Sequence, residues 1–239
     1  MISRFLDGVQ KPRQYEREFQ HLCCPQENSD GDLGECPLES SLQNMATAFP
    51  IGNLNWSLLS NVSLSSQYIL QSLESCDLEI LHTVYKALYP EKIIELIALA
   101  ETVKKYSSLT IGNEHYGSKL DCRSIRSSRI YASWAKEDGD LNLERMQFYA
   151  GKVDYYFSHS LALNGRCLLH VFACVTWHKP DDSSDLFLNP TRTFKARDYV
   201  AGGPSRFMPV QRIYCRYAWA EIMVGNEKKL VTVPLDLKT

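Results

Sequence analysis

Three histidines stand close together in the second half of the chain, at His159, His170 and His178, with Cys167 and Cys174 among them. Imidazole and thiolate are ligands that zinc prefers, and a structural site takes four of them. The segment reads as a hairpin, so His159 and His170 are expected to meet across it, with Cys167 or Cys174 completing a set. His170 and His178 flank one strand, and at roughly 3.3 Å per residue they lie about 26 Å apart, too far to share an ion. A second set, His21, Cys23, Cys24 and Cys36, lacks the paired Cys-x2-Cys spacing that wraps a metal. Polar strand-end histidines and buried thiols are the plainer reading of both sets, and no metal or other cofactor is expected.

Other catalytic chemistry has little to stand on. The sequence holds no G-x-S-x-G elbow and no phosphate-binding Walker loop. Carboxylates cluster at Glu137-Asp138-Asp140 and Asp181-Asp182-Asp185, beside Gly, Ser or Pro, where they read as solvated turns. A transposase-type carboxylate triad needs acids at strand ends of an α/β core. The C-terminal strands carry almost none, and no βαβ alternation follows them. A non-catalytic protein is expected.

Aromatic and arginine side chains are the stronger signal. Tyr155, Trp177, Tyr199 and Trp219 fall among strand-like runs, and outward aromatics can stack bases or cage a methylated lysine. Tyr155 and Phe157 are expected on one face of a strand and Tyr156 on the other. Arg123, Arg126, Arg129, Arg206, Arg212 and Arg216 are the candidate phosphate contacts. The first three are spaced to share one face if helical. Arg212 and Arg216 are expected on one strand face. A core of aromatics with a solvated charged face is the plainer alternative.

Charge is distributed unevenly. The net charge of the 239 residues is −2, so the whole chain does not attract polyanions. Residues 1–120 hold 9 Lys and Arg against 15 Asp and Glu, while residues 121–239 hold 17 against 13. A mildly basic C-terminal half is a weak hint of an anionic partner. The 8 cysteines are scattered and the polar start lacks an apolar signal core, so a reduced, intracellular protein is expected. The longest apolar runs, such as IIELIALA, fall short of the roughly 20 residues of a membrane span, and no membrane partner is expected.

The elements that must position these groups follow from periodicity. Residues 1–75 are polar, acidic and rich in Ser and Asn, and are expected to be weakly ordered. Leu78, Leu81, Val84, Tyr85 and Leu88 recur every three or four residues and predict a helix. Tyr89-Pro90 ends it, and a second helix is predicted over about 91–105, with Ile93, Ile94, Leu96, Ile97, Ala100 and Val103 apolar. Residues 107–146 read as a basic connector. Six strands are predicted at about 148–157, 168–177, 191–197, 207–216, 218–224 and 229–234, the number and spacing of a small barrel or sandwich. Gly151 is expected to mark a bulge or bend, and Gly225-Asn226-Glu227 a hairpin loop.

Five blocks stand in order: SIRSSRIYASW, GKVDYYFSH, HVFACVTWHKP, FMPVQRIYCRYA and VTVPL. Together they resemble a β-rich unit near the C-terminus of eukaryotic proteins associated with transposable elements. The resemblance spans roughly 81–235 and implies a mobile-element origin and a nuclear, nucleic-acid setting. It supplies no catalytic residues. The GKV strand followed by VFACVTWHKPD is also similar to bromo-adjacent-homology modules, non-catalytic barrels that bind chromatin proteins or histone tails. Here Lys179-Pro180 stands where those carry Arg-Pro.

The expectation is therefore an α+β protein. A weakly ordered acidic region over 1–75 precedes a helical hairpin and basic connector over 76–146. These pack on a small, six-stranded, mostly antiparallel β-barrel over 147–239. The expected function is a non-catalytic interaction module of mobile-element origin, binding a chromatin protein or nucleic acid through an aromatic and arginine rim. The alternatives are an accessory or remnant part of a transposase touching DNA through Arg123, Arg126 and Arg129, and a metal-dependent hydrolase using His159 and His170.

Overall fold

The computed structural model describes residues 62–120, 125–135, 141, 147–181, 192–199 and 205–235. The set His21, Cys23, Cys24 and Cys36 lies outside them, as does most of the region expected to be weakly ordered.

One hairpin organises the molecule. Strand β7 spans Gln147–Leu163 and β8 spans Arg166–Pro180. Val, Tyr and Phe enrichment favours both strands. Asn164 and Gly165 turn between them with φ of 51° and 71°, the left-handed pair of a tight hairpin turn, which Asn and Gly tolerate. Along its other edge, β7 pairs first with β6 (Arg129–Ala135) and then with β3 (Thr102–Tyr106). The far edge of β8 pairs with β9 (Arg192–Tyr199) at one end and β10 (Phe207–Pro209) further along. Strand β11 (Ile213–Val224) pairs with β6, and β12 (Glu227–Leu235) joins β11 to β9.

The order β7-β8-β9-β12-β11-β6 thus returns to β7 and closes a six-stranded antiparallel barrel. Closure removes the exposed edges of those six strands. The expected strand number is right, but the set differs. Residues 207–216 and 218–224 yield the short β10 and one continuous β11, and the sixth stave is β6, inside the predicted basic connector. β11 and β12 turn at Gly225-Asn226, with Gly225 at φ 61°. Gly151 carries no bulge. It pairs with Trp177, and the register shift lies between Val153 and Tyr155. Gly151 serves close packing instead: a Cβ there would sit 2.5 Å from Val175 Cγ1 and 2.8 Å from Trp177 Cε3.

The helical hairpin is not present. A single helix, α1 (Ser75–Leu88), carries the predicted stripe, with Leu81, Val84, Tyr85 and Leu88 buried. The second predicted helix is a 3-10 turn at Leu96–Ala98 followed by β3. Ile93 and Ile97, placed on its buried stripe by periodicity, are 96% and 91% exposed. The run is rich in β-branched residues, which lose rotamer freedom in a helix. Its end pairs with the β7 edge, so sheet hydrogen bonds replace helical ones. Two further strands, β1 (Val62–Leu64) and β2 (Tyr68–Ser72), fall within the region expected to be weakly ordered. β4 (Ser108–Ile111) and β5 (Glu114–Gly117) join β1 in a small separate sheet.

The distal half of the hairpin is covered on both faces. Phe157 contacts Phe172 and Phe207 at ring separations of 5.2 and 4.9 Å, and Phe172 meets Tyr85 of α1 at 5.5 Å. The opposite face holds Tyr156, whose hydroxyl donates to Gly117 O of β5 at 3.2 Å. Tyr155 and Phe157 therefore do share a face, with Tyr156 opposite, but Tyr156 and Phe157 are both fully buried. Alternation along β8 carries the helix-covered face (Phe172, Cys174, Thr176, His178) into the barrel. The barrel interior there holds Tyr131, Ala150, Phe194, Cys215, Tyr217 and Leu230.

Candidate functional site at the barrel mouth

The register sets Thr176, Lys152 and Arg129 side by side across β8, β7 and β6. This row lies one step outward from the barrel interior, where His178 stacks near Phe194 and Tyr131 bonds Thr232. Arg129 lays its guanidinium over the Trp219 ring, 3.5 Å from the centroid. Trp219 remains 43% exposed. Arg129 itself is buried, so its role is to hold the indole and set the local potential.

Charge accumulates around this row. Lys119 pairs with Asp154, whose other oxygen accepts from Thr176 Oγ1 at 2.7 Å. The His178 ring is pushed down to about 4, first by burial and then by the positive charges of Lys152, Arg129 and Lys119. One step further along the hairpin, Tyr155 pairs with Cys174, and Lys105 places its ammonium 3.7 Å from the Tyr155 ring centre. Arg206 joins them and forms an ion pair with Asp77 of α1. The resulting strip holds Lys105, Arg206, Lys119, Lys152 and Arg129 against Asp77 and Asp154, with half-buried Tyr155 and exposed Trp219 along it. Cys174 within it is pushed up to about 11 by burial, so it stays a thiol and is a poor nucleophile at neutral pH.

The other sequence candidates scatter. Trp177 is core, 3% exposed, and its indole N–H donates to Ser205 O at 3.0 Å; Trp134 donates to the same oxygen at 3.2 Å. Arg123 and the side chains of Arg126 and Tyr199 lie outside the described residues. Ile125–Ser128 forms a 3-10 turn and Arg129 opens β6, so the three arginines share no helical face. Arg212 ends another 3-10 turn and is buried, its guanidinium pulled down to about 10 by burial. Arg216 lies on β11 and pairs with Glu114 of β5 at 2.7 Å, so the two do not form one strand face. Lys105, Lys119 and Lys152 escaped the sequence reading. Of these, only Lys152 carried a signal, as a cation inside an otherwise apolar strand run.

His159 and His170 do meet across the hairpin, as directly paired residues. Each is engaged by a tyrosine of the helix region. Tyr85 Oη lies 2.7 Å from His159 Nδ1, and His159 Nε2 lies 3.0 Å from Ala100 O. A carbonyl only accepts, so Nε2 carries the proton and Nδ1 accepts from Tyr85. His170 mirrors this: Nδ1 donates to Leu168 O at 3.2 Å and Nε2 accepts from Tyr89 at 2.7 Å. Neither ring has a lone pair left for an ion. Burial lowers His159 and pushes His170 down to about 4, keeping both neutral. Cys167 is exposed and, three residues from His170 on one strand, faces the other way. Among the described residues no group of three or more His, Cys, Asp or Glu could hold a metal ion, and no helix is long and apolar enough to cross a membrane.

No family model, curated protein or solved structure matches this chain.

Proposed function

We propose that this protein is a non-catalytic interaction module that binds single-stranded nucleic acid along the strip at the barrel mouth. The observation that carries the reading is the Arg129–Trp219 stack beside the Thr176–Lys152–Arg129 row. A cationic track with an exposed aromatic is what sequence-tolerant binding of unpaired strands requires: phosphates follow the cations and a base stacks on the ring. With a net charge of −2 the chain as a whole does not attract polyanions, so binding rests on a local excess of cations such as this one. The resemblance of the five sequence blocks to those of transposable-element-associated proteins is what favours a mobile-element origin and a nuclear setting.

A chromatin-protein ligand held in an aromatic cage is less well supported. A cage needs several open ring faces around a cation. Trp177 is buried, and Lys105 and Arg129 already occupy faces of Tyr155 and Trp219. The accessory-transposase reading through Arg123, Arg126 and Arg129 lacks its shared face.

Anisotropy of a fluorescent single-stranded oligonucleotide tests the proposal. Trp219→Ala is expected to weaken binding by about 1–3 kcal/mol, roughly ten- to a hundredfold, with the fold intact. Unchanged affinity in that variant would remove the mouth as the site.

A further inference from the structure

Strand β2 ends the nine-stranded order of the main sheet, and among the described residues nothing pairs with its outer edge. All five of its residues, Tyr68–Ser72, are exposed, including Tyr68 at 49%, Ile69 at 63% and Leu70 at 62%. Natural sheets blunt such edges with lysine, proline, a bulge or a covering segment. The sequence Tyr-Ile-Leu-Gln-Ser has no charge and no proline, and its pairing with β3 is regular from Tyr68–Tyr106 to Ser72–Thr102. An open, regular, apolar edge accepts an added strand.

The neighbouring strand states what chemistry that strand should carry. Lys104 pairs with Leu70 and sets its ammonium 4.7 Å from the Tyr68 ring centre on one face. Lys105 pairs with Ile69 on the other face. Both cations thus sit one strand inward from the open edge, at its Tyr68 end. Of the nearby acids, Glu74 and Glu101 lie past the Ser72 end, where Leu73 N donates to Glu101 O, and Asp77, which acts on Lys105, is paired with Arg206.

We infer that β2 is a docking edge for an extended acidic peptide of a partner protein, which adds as a further strand. Its backbone pairs with β2, its apolar side chains lie over Tyr68, Ile69 and Leu70, and its carboxylates reach Lys104 and Lys105. This site lies at the sheet edge and shares only Lys105 with the strip, and it does not depend on nucleic-acid binding at the mouth. Neither a second copy nor a nucleic acid fits as well: another β2 brings no acids to the lysines, and an oligonucleotide has no backbone amides for the edge.

The probe is a capped Val-Val-Glu-Glu-Val-Val peptide, whose adjacent carboxylates point to opposite faces of the added strand, compared with its Val-Val-Lys-Lys-Val-Val counterpart, titrated into the full chain by calorimetry. The acidic peptide is expected to bind at least tenfold tighter. Its binding should slow hydrogen exchange of the β2 amides. Lys104→Glu/Lys105→Glu should reverse the preference. Ile69→Glu, a surface change that leaves the core intact, should weaken the acidic peptide about tenfold. Equal binding of both peptides, binding of neither, or concentration-dependent dimers that Ile69→Glu abolishes would each overturn the inference. Loss of oligonucleotide binding in Trp219→Ala with peptide binding unchanged would show that the two sites stand or fall separately.

Discussion

The two ends of the β7–β8 hairpin come from one stretch of sequence and treat their polar groups in opposite ways. Toward the turn, His159 and His170 are each closed off by a tyrosine and a carbonyl, under a helix and among buried phenylalanines. Toward the open end, Lys152, Arg129 and Lys119 crowd one side of the barrel and Trp219 stays exposed. The first end spends its polarity on holding the fold together. The second gathers positive charge around an exposed aromatic: Lys119 pairs with Asp154 and Arg129 lies over Trp219, and the local excess of one sign is what an anionic partner would meet. The difference teaches that similar residue types, histidine and aromatic, become structural or functional according to what covers them.

Substitutions can break this contrast. Phe157→Ala removes a fully buried ring at the distal end and is expected to cost about 3–5 kcal/mol in denaturant unfolding. Trp219→Ala at the mouth should cost less than about 1 kcal/mol, as for surface sites generally. Comparable losses from the two would merge the ends into one core.

Acid should act on both ends. His159, His170 and His178 are depressed in the folded protein, so the unfolded chain takes up protons first, near the ordinary 6.5. Their contribution is complete above about 6.5 and declines as pH falls toward 4, where His170 and His178 titrate when folded. Unfolding midpoints between pH 7 and 4 should show this decline. Lys152→Met sharpens the contrast: it removes a positive charge beside His178 and should flatten the slope, leaving the His170 share untouched. An unaltered slope would show that the charges at the mouth do not reach His178.

Gly151→Ala sits where the two ends join. The added methyl meets stiff Val175 and hydrogen-bonded Trp177, and should cost about 1–3 kcal/mol. Tyr89→Phe is milder than Gly151→Ala. It removes one half-buried hydrogen bond to His170 and should cost about 0.5–1.5 kcal/mol by thermal unfolding. Tyr85→Phe strands a fully buried acceptor on His159, so it should cost more than Tyr89→Phe.

The barrel is legible because its strands are long, β-branched and aromatic, and because Gly225-Asn226 marks one of its turns. Helix α1 was legible from its stripe. The second helix was misread because Ile93 and Ile97 satisfy a helical period yet face solvent, and periodicity does not report whether a partner surface exists. β6 was missed because arginines and serines precede it. Of the site, Arg129, Trp219, Tyr155 and Arg206 were named in advance, whereas the lysines beside them come from separate segments that only the folded register brings together. Trp177 was misplaced because an aromatic in a strand carries no sign of which face is covered.

The most direct test is the salt dependence of single-strand binding in the native chain and in Lys119→Gln/Lys152→Gln. Counterion release makes log K fall linearly with log salt, by roughly 0.7 per phosphate neutralised on a single strand. The account predicts a clear negative slope in the native chain and a shallower one in the double variant, with the fold unchanged by circular dichroism. Binding that ignores salt, or an identical slope in both proteins, would contradict it.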